Sequence, residues 1–256
     1  MNSQLDVNAE DLKDARVIWN YQILNEPVMR NADAVILLGS FDLCTAKVAA
    51  GLILSDFSDT LIICGSDSGR GYEILNGLAR GRTSAEILAE EVEKYGVDYE
   101  LVKQTNNTGE DIVFSYNLLK SRGKRTDRII GVHMPSAERR DKAAFEKQWP
   151  SLEKAVIVSP RLSMEEYQHV GYMGLYTWQH FIEDLLGDFQ RTFVFSRPEF
   201  GFQVPQAELP PQDVLCRYQR LVSRGFTGSL LVKNDGEIYP VGDFFAGELR
   251  ENRKGK

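Results

Sequence analysis

Arg139 and Arg140 stand side by side in VHMPSAERRDKAAF, just after an apolar run that ends at His133. The pattern reads as a strand end passing into a helix, with both arginines in the first helical turn. The amino end of a helix already carries partial positive charge, so cations there are unfavourable unless something compensates them. An anion would do so: phosphate, carboxylate or sulfonate, gripped jointly by backbone amides and guanidinium groups. The alternative is that Glu138, Asp141 or Glu110 neutralises the pair at the surface, since charge runs on helices usually face water. His133 is either a general acid or base or a satisfied, partly buried histidine.

Other polar residues cluster at the ends of apolar runs. Gly39–Ser40 and Gly65–Ser66 close the first two runs, where glycine either lets the backbone approach a ligand or simply turns the chain. Thr83 is followed three positions on by Glu86, and Thr108 by Asp111, which reads as helix capping. Ser136 also suits a cap, but its third position on is Arg139 rather than an acid. Glu86 and Glu110 fall in first helical turns; each is either a capping carboxylate or a general base or hydroxyl binder. Asn107 offers a donor and an acceptor, suited to a ribose or an amide.

The elements that must position these residues are legible from periodicity. Five short apolar runs start at Ala32, Asp59, Tyr99, Arg128 and Lys154, and four are nearly continuous in Val, Ile and Leu. Such runs suit strands covered on both faces, and the third, more alternating, suits an edge. The segments between them have helical spacing. The expected fold is therefore α/β: a Rossmann-like, doubly wound, parallel five-stranded sheet, followed by a mainly helical C-terminal part. Ligands of such sheets lie beyond the carboxyl ends of the strands, where strand order reverses.

Residues 1–31 read as an N-terminal helical segment, 32–160 as the Rossmann-like domain, and 161–256 as a helical C-terminal domain with a short hairpin at Asp235–Gly236 and a basic tail. The connection from Ser66 to Arg82, with Gly69, Gly71, Gly77 and Gly81, has the length and composition of a lid. The phenylalanines between Phe189 and Phe202 read as core packing, with a membrane-surface or apolar-ligand groove as the alternative. His169 and His180 would align only on an unbroken helix, and Gly171 and Gly174 interrupt it.

Composition narrows the function. The 256 residues carry a formal charge of −7, which argues against a general nucleic-acid binder. Cys44, Cys64 and Cys216 show neither disulfide nor zinc spacing, and no metal-ligand motif occurs. Neither GxGxxG nor a phosphate-binding P-loop is present, which disfavours a nicotinamide enzyme or a P-loop hydrolase. The N-terminus lacks the basic start and apolar stretch of a signal peptide, and no run is long enough to span a bilayer, so a cytoplasmic protein without membrane contact is expected.

The order strand–Gly39–Ser40, Cys64–Gly65–Ser66, TSAEILAEE, NNTGEDIVFS and VHMPSAERR resembles the bacterial SanA, ElyC and YdcF family, from about Ala32 to Pro160. The cytosolic YdcF-like branch is the most similar. The resemblance implies a ligand site at the strand ends, with S-adenosylmethionine or a nucleotide as the cofactor class. Its polar positions fall on Gly39, Gly65, Ser66, Glu86, Asn107, Thr108, Glu110, His133, Arg139 and Arg140. Family sequences often carry Glu-Asn after the threonine, where this chain has Gly109 before Glu110 and Asp111. No methyltransferase glycine motif follows the first strand, which puts methyl transfer in doubt. The expectation is a small anionic or nucleotide-like ligand, with Ser40 and Ser66 orienting it, Arg139 and Arg140 holding it, and Glu110, His133 or Glu86 moving a proton. A non-catalytic sensor and an envelope-pathway accessory protein are the alternatives.

Overall fold

The computed structural model of the chain describes residues 5–67 and 79–241. Most of the connection read as a lid, and the basic tail, lie outside them. Five strands form one sheet: β1 (Ala34–Leu37), β2 (Leu61–Cys64), β3 (Glu100–Val102), β4 (Arg128–Val132) and β5 (Lys154–Val158). Their order is β3-β2-β1-β4-β5 and every pairing is parallel. After β3, at one edge, the chain crosses back beyond β1 to lay down β4. The strand order thus reverses beside β1, which creates a crevice at the carboxyl ends of β1 and β4.

Alternate residues of each strand point to opposite faces, and both faces are covered. Val35, Leu37 and Ile63 pack against α2 (Leu43–Leu54) and α3 (Ser84–Glu93). Ile36, Ile62 and Ile157 pack against α4 (Thr108–Ser121) and α5 (Glu138–Gln148). Each such side chain, removed from water, contributes about 1.5–3 kcal/mol of burial free energy. β3 is half-buried throughout, as suits an edge.

A third core holds a helical layer. The N-terminal helix α1 (Ala9–Gln22) shares it with α6 (Met164–Val170), α7 (Trp178–Val194) and α8 (Gln212–Ser223). Ile18, Trp19, Phe181, Phe189, Tyr218 and Leu221 are its buried centre. The two ends of the sequence, remote along the chain, therefore close one layer together. Along the seam, buried Asp11 pairs with Arg220 and Arg224, and Asp14 with Arg217 and Arg220.

Phe189 and Phe193 are core residues, whereas Phe195, Phe200 and Phe202 pack on one another, and Phe200 also on Tyr239. The segment is thus split between core and a smaller aromatic cluster. The Asp235–Gly236 turn joins a single antiparallel bridge, Val232 to Ile238, and Gly236 takes a φ of +88° that favours glycine. His169 and His180 fall in separate helices, α6 and α7, on either side of a short 3-10 turn. Among the described residues no helix is long and apolar enough to cross a membrane.

Candidate functional site

The carboxyl ends of β1, β2 and β4 open into a pocket of about 460 Å³, roofed by α7 and the turn before it. Its floor is backbone. Gly39 and Gly65 end β1 and β2 and press together: a Cβ on Gly39 would lie 2.8 Å from the Gly65 Cα. Gly65 has a φ of +136°, and a Cβ there would sit 1.9 Å from the Ser84 hydroxyl at the start of α3. These glycines are required by close approach of strand to strand and of strand to helix. Ser40, Ser66, Ser84 and Thr108 add hydroxyl groups to the wall.

Three helical segments begin at this wall. Thr83 caps α3 in a reciprocal pair with Glu86, and Asn107 caps α4 by accepting the Glu110 amide. The 3-10 turn Pro135–Ala137 leads into α5 after β4. Their free backbone amides give the strand ends a positive partial charge.

The two arginines part company. Neighbouring helical residues diverge by about 100°, so a pair in sequence cannot face one site. Arg140 lines the pocket, its side chain 13% exposed, 3.3 Å from carboxylates of both Asp188 and Asp141. Burial works against its charge, but those two acids outweigh burial and hold the guanidinium firmly protonated. Its Nε is buried without a hydrogen-bond partner. Arg139 points the other way: it donates to the Tyr21 carbonyl and lies over the Tyr21 ring, 4.1 Å from the centroid. It ties α5 to α1 and is absent from the pocket wall. The expected double clamp is therefore a single arginine already matched by acids.

Glu86 and Glu110 are also absent from the wall. Glu86 accepts from the Thr83 amide and hydroxyl and pairs with Lys103, which holds its carboxyl below the usual range. Glu110 accepts from the Asn106 amide and from the side chains of Asn106 and Asn107, all exposed. Both carboxylates are occupied in stabilising helix starts. Ser136, read as a cap, lies in the 3-10 turn and donates to Asp188 at 2.7 Å.

At these helix starts the acid that enters the pocket is Asp111, which the capping pattern on Thr108 had assigned to a helix end. The cap is Asn107, one residue earlier, so Glu110 takes the capping position and Asp111 turns inward. Its Oδ2 accepts the Gly39 amide at 3.0 Å, and its Oδ1 is buried without a partner. Burial pushes its pKa up to about 6, against the Thr105 side chain and the Gly39 amide, which favour the ionised form. A signal was available: Asp111 lies on the inward row of α4 with Ile112, Ser115 and Leu119.

His133 is 2% exposed, with Nδ1 2.6 Å from Asp141 Oδ2 and Nε2 buried without a partner. Burial alone would lower its pKa, but the Asp141 carboxylate overcomes this and leaves the ring above its ordinary value. Gly39, Ser40, Gly65, Ser66, His133 and Arg140 thus meet in one pocket, as do Asn107 and Thr108. On the helical side, Asp184, Asp188 and Arg191 form a stripe on α7 at a spacing of four and three, readable as one helix face.

Tyr172 and Tyr176 stack with centroids 4.4 Å apart to form the aromatic wall. Tyr172 and Met173 both adopt left-handed backbone, with φ of +49° and +58°, where residues other than glycine are strained. Nothing in the spacing of these tyrosines announced that wall. Among the described residues no group of His, Cys, Asp and Glu is arranged to hold a metal ion.

Fold and site together define an α/β protein with a Rossmann-like parallel sheet and a pocket at its topological switch point. The chain is 30% identical over 230 residues to uncharacterized protein SCO4629 of Streptomyces coelicolor, covering 88% of this chain and 96% of that protein. It belongs to the same family as that protein. No protein-family model matches the chain. A solved structure, the U34-tRNA thiolase NcsA from Methanococcus maripaludis with its [4Fe-4S] cluster, aligns at 11% identity over 83% of this chain and 72% of its own. Its TM-score of 0.30 is too low to carry an inference.

Proposed function

We propose that the pocket binds a small anionic or nucleotide-like ligand, S-adenosylmethionine among the candidates, in keeping with the sequence's resemblance to the YdcF-like branch. The observation that carries this reading is the convergence on one cavity of the α3 and α4 amino termini, the Gly39 and Gly65 backbones, and the partly buried Arg140. Amides and hydroxyls there suit a tetrahedral or planar anion, and the stacked Tyr172–Tyr176 pair offers a face for a base or other flat group. Placement at a switch point beside β1 is where ligands of open parallel sheets bind.

Calorimetry with inorganic phosphate, AMP and S-adenosylmethionine tests it. The parent protein is expected to bind at least one, and Arg140→Met to weaken that binding tenfold or more. Arg140→Lys keeps the charge that Asp141 and Asp188 face while removing the planar fork, and it guards against a variant that fails to fold. A parent that binds none of the three, or variants that bind as tightly as the parent, would reject the reading.

A second reading, a ligand sensor without turnover, is favoured by the strained Tyr172–Met173 turn, of which Tyr172 lines the pocket. It expects ligand-dependent hydrogen-exchange protection across α6 and α7 with no product formed.

A further inference from the structure

Two buried side chains in the pocket lining each carry a polar atom without a hydrogen-bond partner: Asp111 at Oδ1 and His133 at Nε2. Arg140 Nε and Tyr176 Oη on the same lining are also unpartnered, and buried polar atoms are nearly always satisfied, so their gathering in one cavity points to a site whose partners come from a bound molecule. Asp111 and His133 arrive on different elements, α4 and the end of β4, and each has its other polar atom fixed. The Gly39 amide holds Asp111 Oδ2 at 3.0 Å, and Asp141 holds His133 Nδ1 at 2.6 Å. A carboxylate oriented on one nitrogen of a histidine fixes the ring and defines what the other nitrogen can do.

We infer that the pocket hydrolyses phosphate monoesters, with Asp111 accepting the proton of the attacking water and His133, oriented by Asp141, protonating the leaving oxygen. This rests on the anion-binding reading and adds chemistry to it. The phosphoryl oxygens take the amides at the starts of α3 and α4 and the hydroxyls of Ser66 and Thr108. The water oxygen bonds to phosphorus as its proton passes to Asp111 Oδ1. The ester P–O bond breaks, and the departing oxygen takes the proton from His133 Nε2. Products are an alcohol and inorganic phosphate. Asp111 then returns its proton through solvent and His133 regains one, which closes the cycle. Asp141 is a positioning residue and touches no substrate.

The protonation states suit these roles. Asp111 is ionised above about pH 6. His133 remains protonated beyond its ordinary range because Asp141 on α5, with Asp188 on α7, outweighs burial and the opposing Arg140. Asp42, in the turn after β1, and Asp111 itself are the further acids near the ring.

The test measures phosphate release from p-nitrophenyl phosphate, AMP and glucose 6-phosphate, alongside calorimetry with inorganic phosphate. The parent is expected to release phosphate from at least one ester, with a bell-shaped pH profile. His133→Gln and Asp111→Asn are expected to lose roughly 100-fold or more in turnover, the usual scale for one acid or base. Their phosphate affinity should stay within about threefold of the parent, as neither supplies the anion-binding amides. Asp141→Asn should move the alkaline limb to lower pH, which a merely structural role would not do. It also keeps the idea testable if another variant fails to fold. Phosphate binding without hydrolysis of any ester overturns this inference alone, as does full turnover in His133→Gln. Absence of both binding and hydrolysis overturns the anion-binding reading as well.

Discussion

The residue that best illustrates the chemistry of this chain is Asp111. Shifting the helix cap from Thr108 to Asn107 rotates the start of α4, sends Glu110 to the surface, and turns Asp111 inward to the pocket lining. A carboxyl whose folded pKa is raised is destabilising once ionised. Its favourable contribution is present below the unfolded value of 3.8 and is lost as pH rises to about 6. That shift corresponds to about 3 kcal/mol. Asp111→Asn retains an acceptor for the Gly39 amide and removes the charge. It is expected to raise the melting temperature above that of the parent at pH 8 while making little difference at pH 4. Thermal melts at the two pH values decide it; a variant less stable at pH 8 would mean that the charge is better accommodated than burial implies. A gain in stability with loss of turnover is the usual signature of a polar group kept for function.

At the scale of elements, the pocket depends on how closely β1, β2 and α3 approach. Gly39 and Gly65 are in backbone contact, and Gly65 abuts the first residue of α3. Gly65→Ala forces a methyl to within 1.9 Å of the Ser84 hydroxyl at a φ that side chains rarely adopt. The expected cost is roughly 2 kcal/mol or more, read from denaturant melts. Gly81 also has positive φ, but a Cβ there meets nothing within 4 Å, so its close-contact cost is absent. If Gly65→Ala is neutral, strand-to-helix contact does not set the pocket floor. The strands and most helix starts were legible from periodicity and capping residues because those signals are local. Which side of a helix start faces the sheet was not, because it turns on a single residue of cap placement.

For the whole molecule, α1 belongs to the layer built by α6, α7 and α8. Trp19 is 2% exposed, with Tyr167 and Phe181 ring centroids 5.2 and 5.5 Å away. Trp19→Ala is expected to cost about 3–5 kcal/mol, as for other buried tryptophans. A chain lacking residues 1–31 is expected to lose cooperative unfolding in calorimetry, since that deletion strips the same core and removes the acids that Arg217, Arg220 and Arg224 face. A cooperative transition like the parent's would mean that α1 is dispensable. By itself, the amino-acid order determined the alternation of apolar runs and helices, and hence a parallel sheet with its polar and glycine-rich loops at the strand ends. Hydrophobic period and chain connectivity leave few other arrangements. Only the tertiary structure decided that Arg140 enters the pocket while Arg139 holds α1, that Asp111 replaces Glu110 there, and that Tyr172 and Tyr176 form its wall. Those outcomes depend on helix rotation and on contacts between residues far apart in the chain; of them only the inward row of α4 that holds Asp111 leaves a local trace.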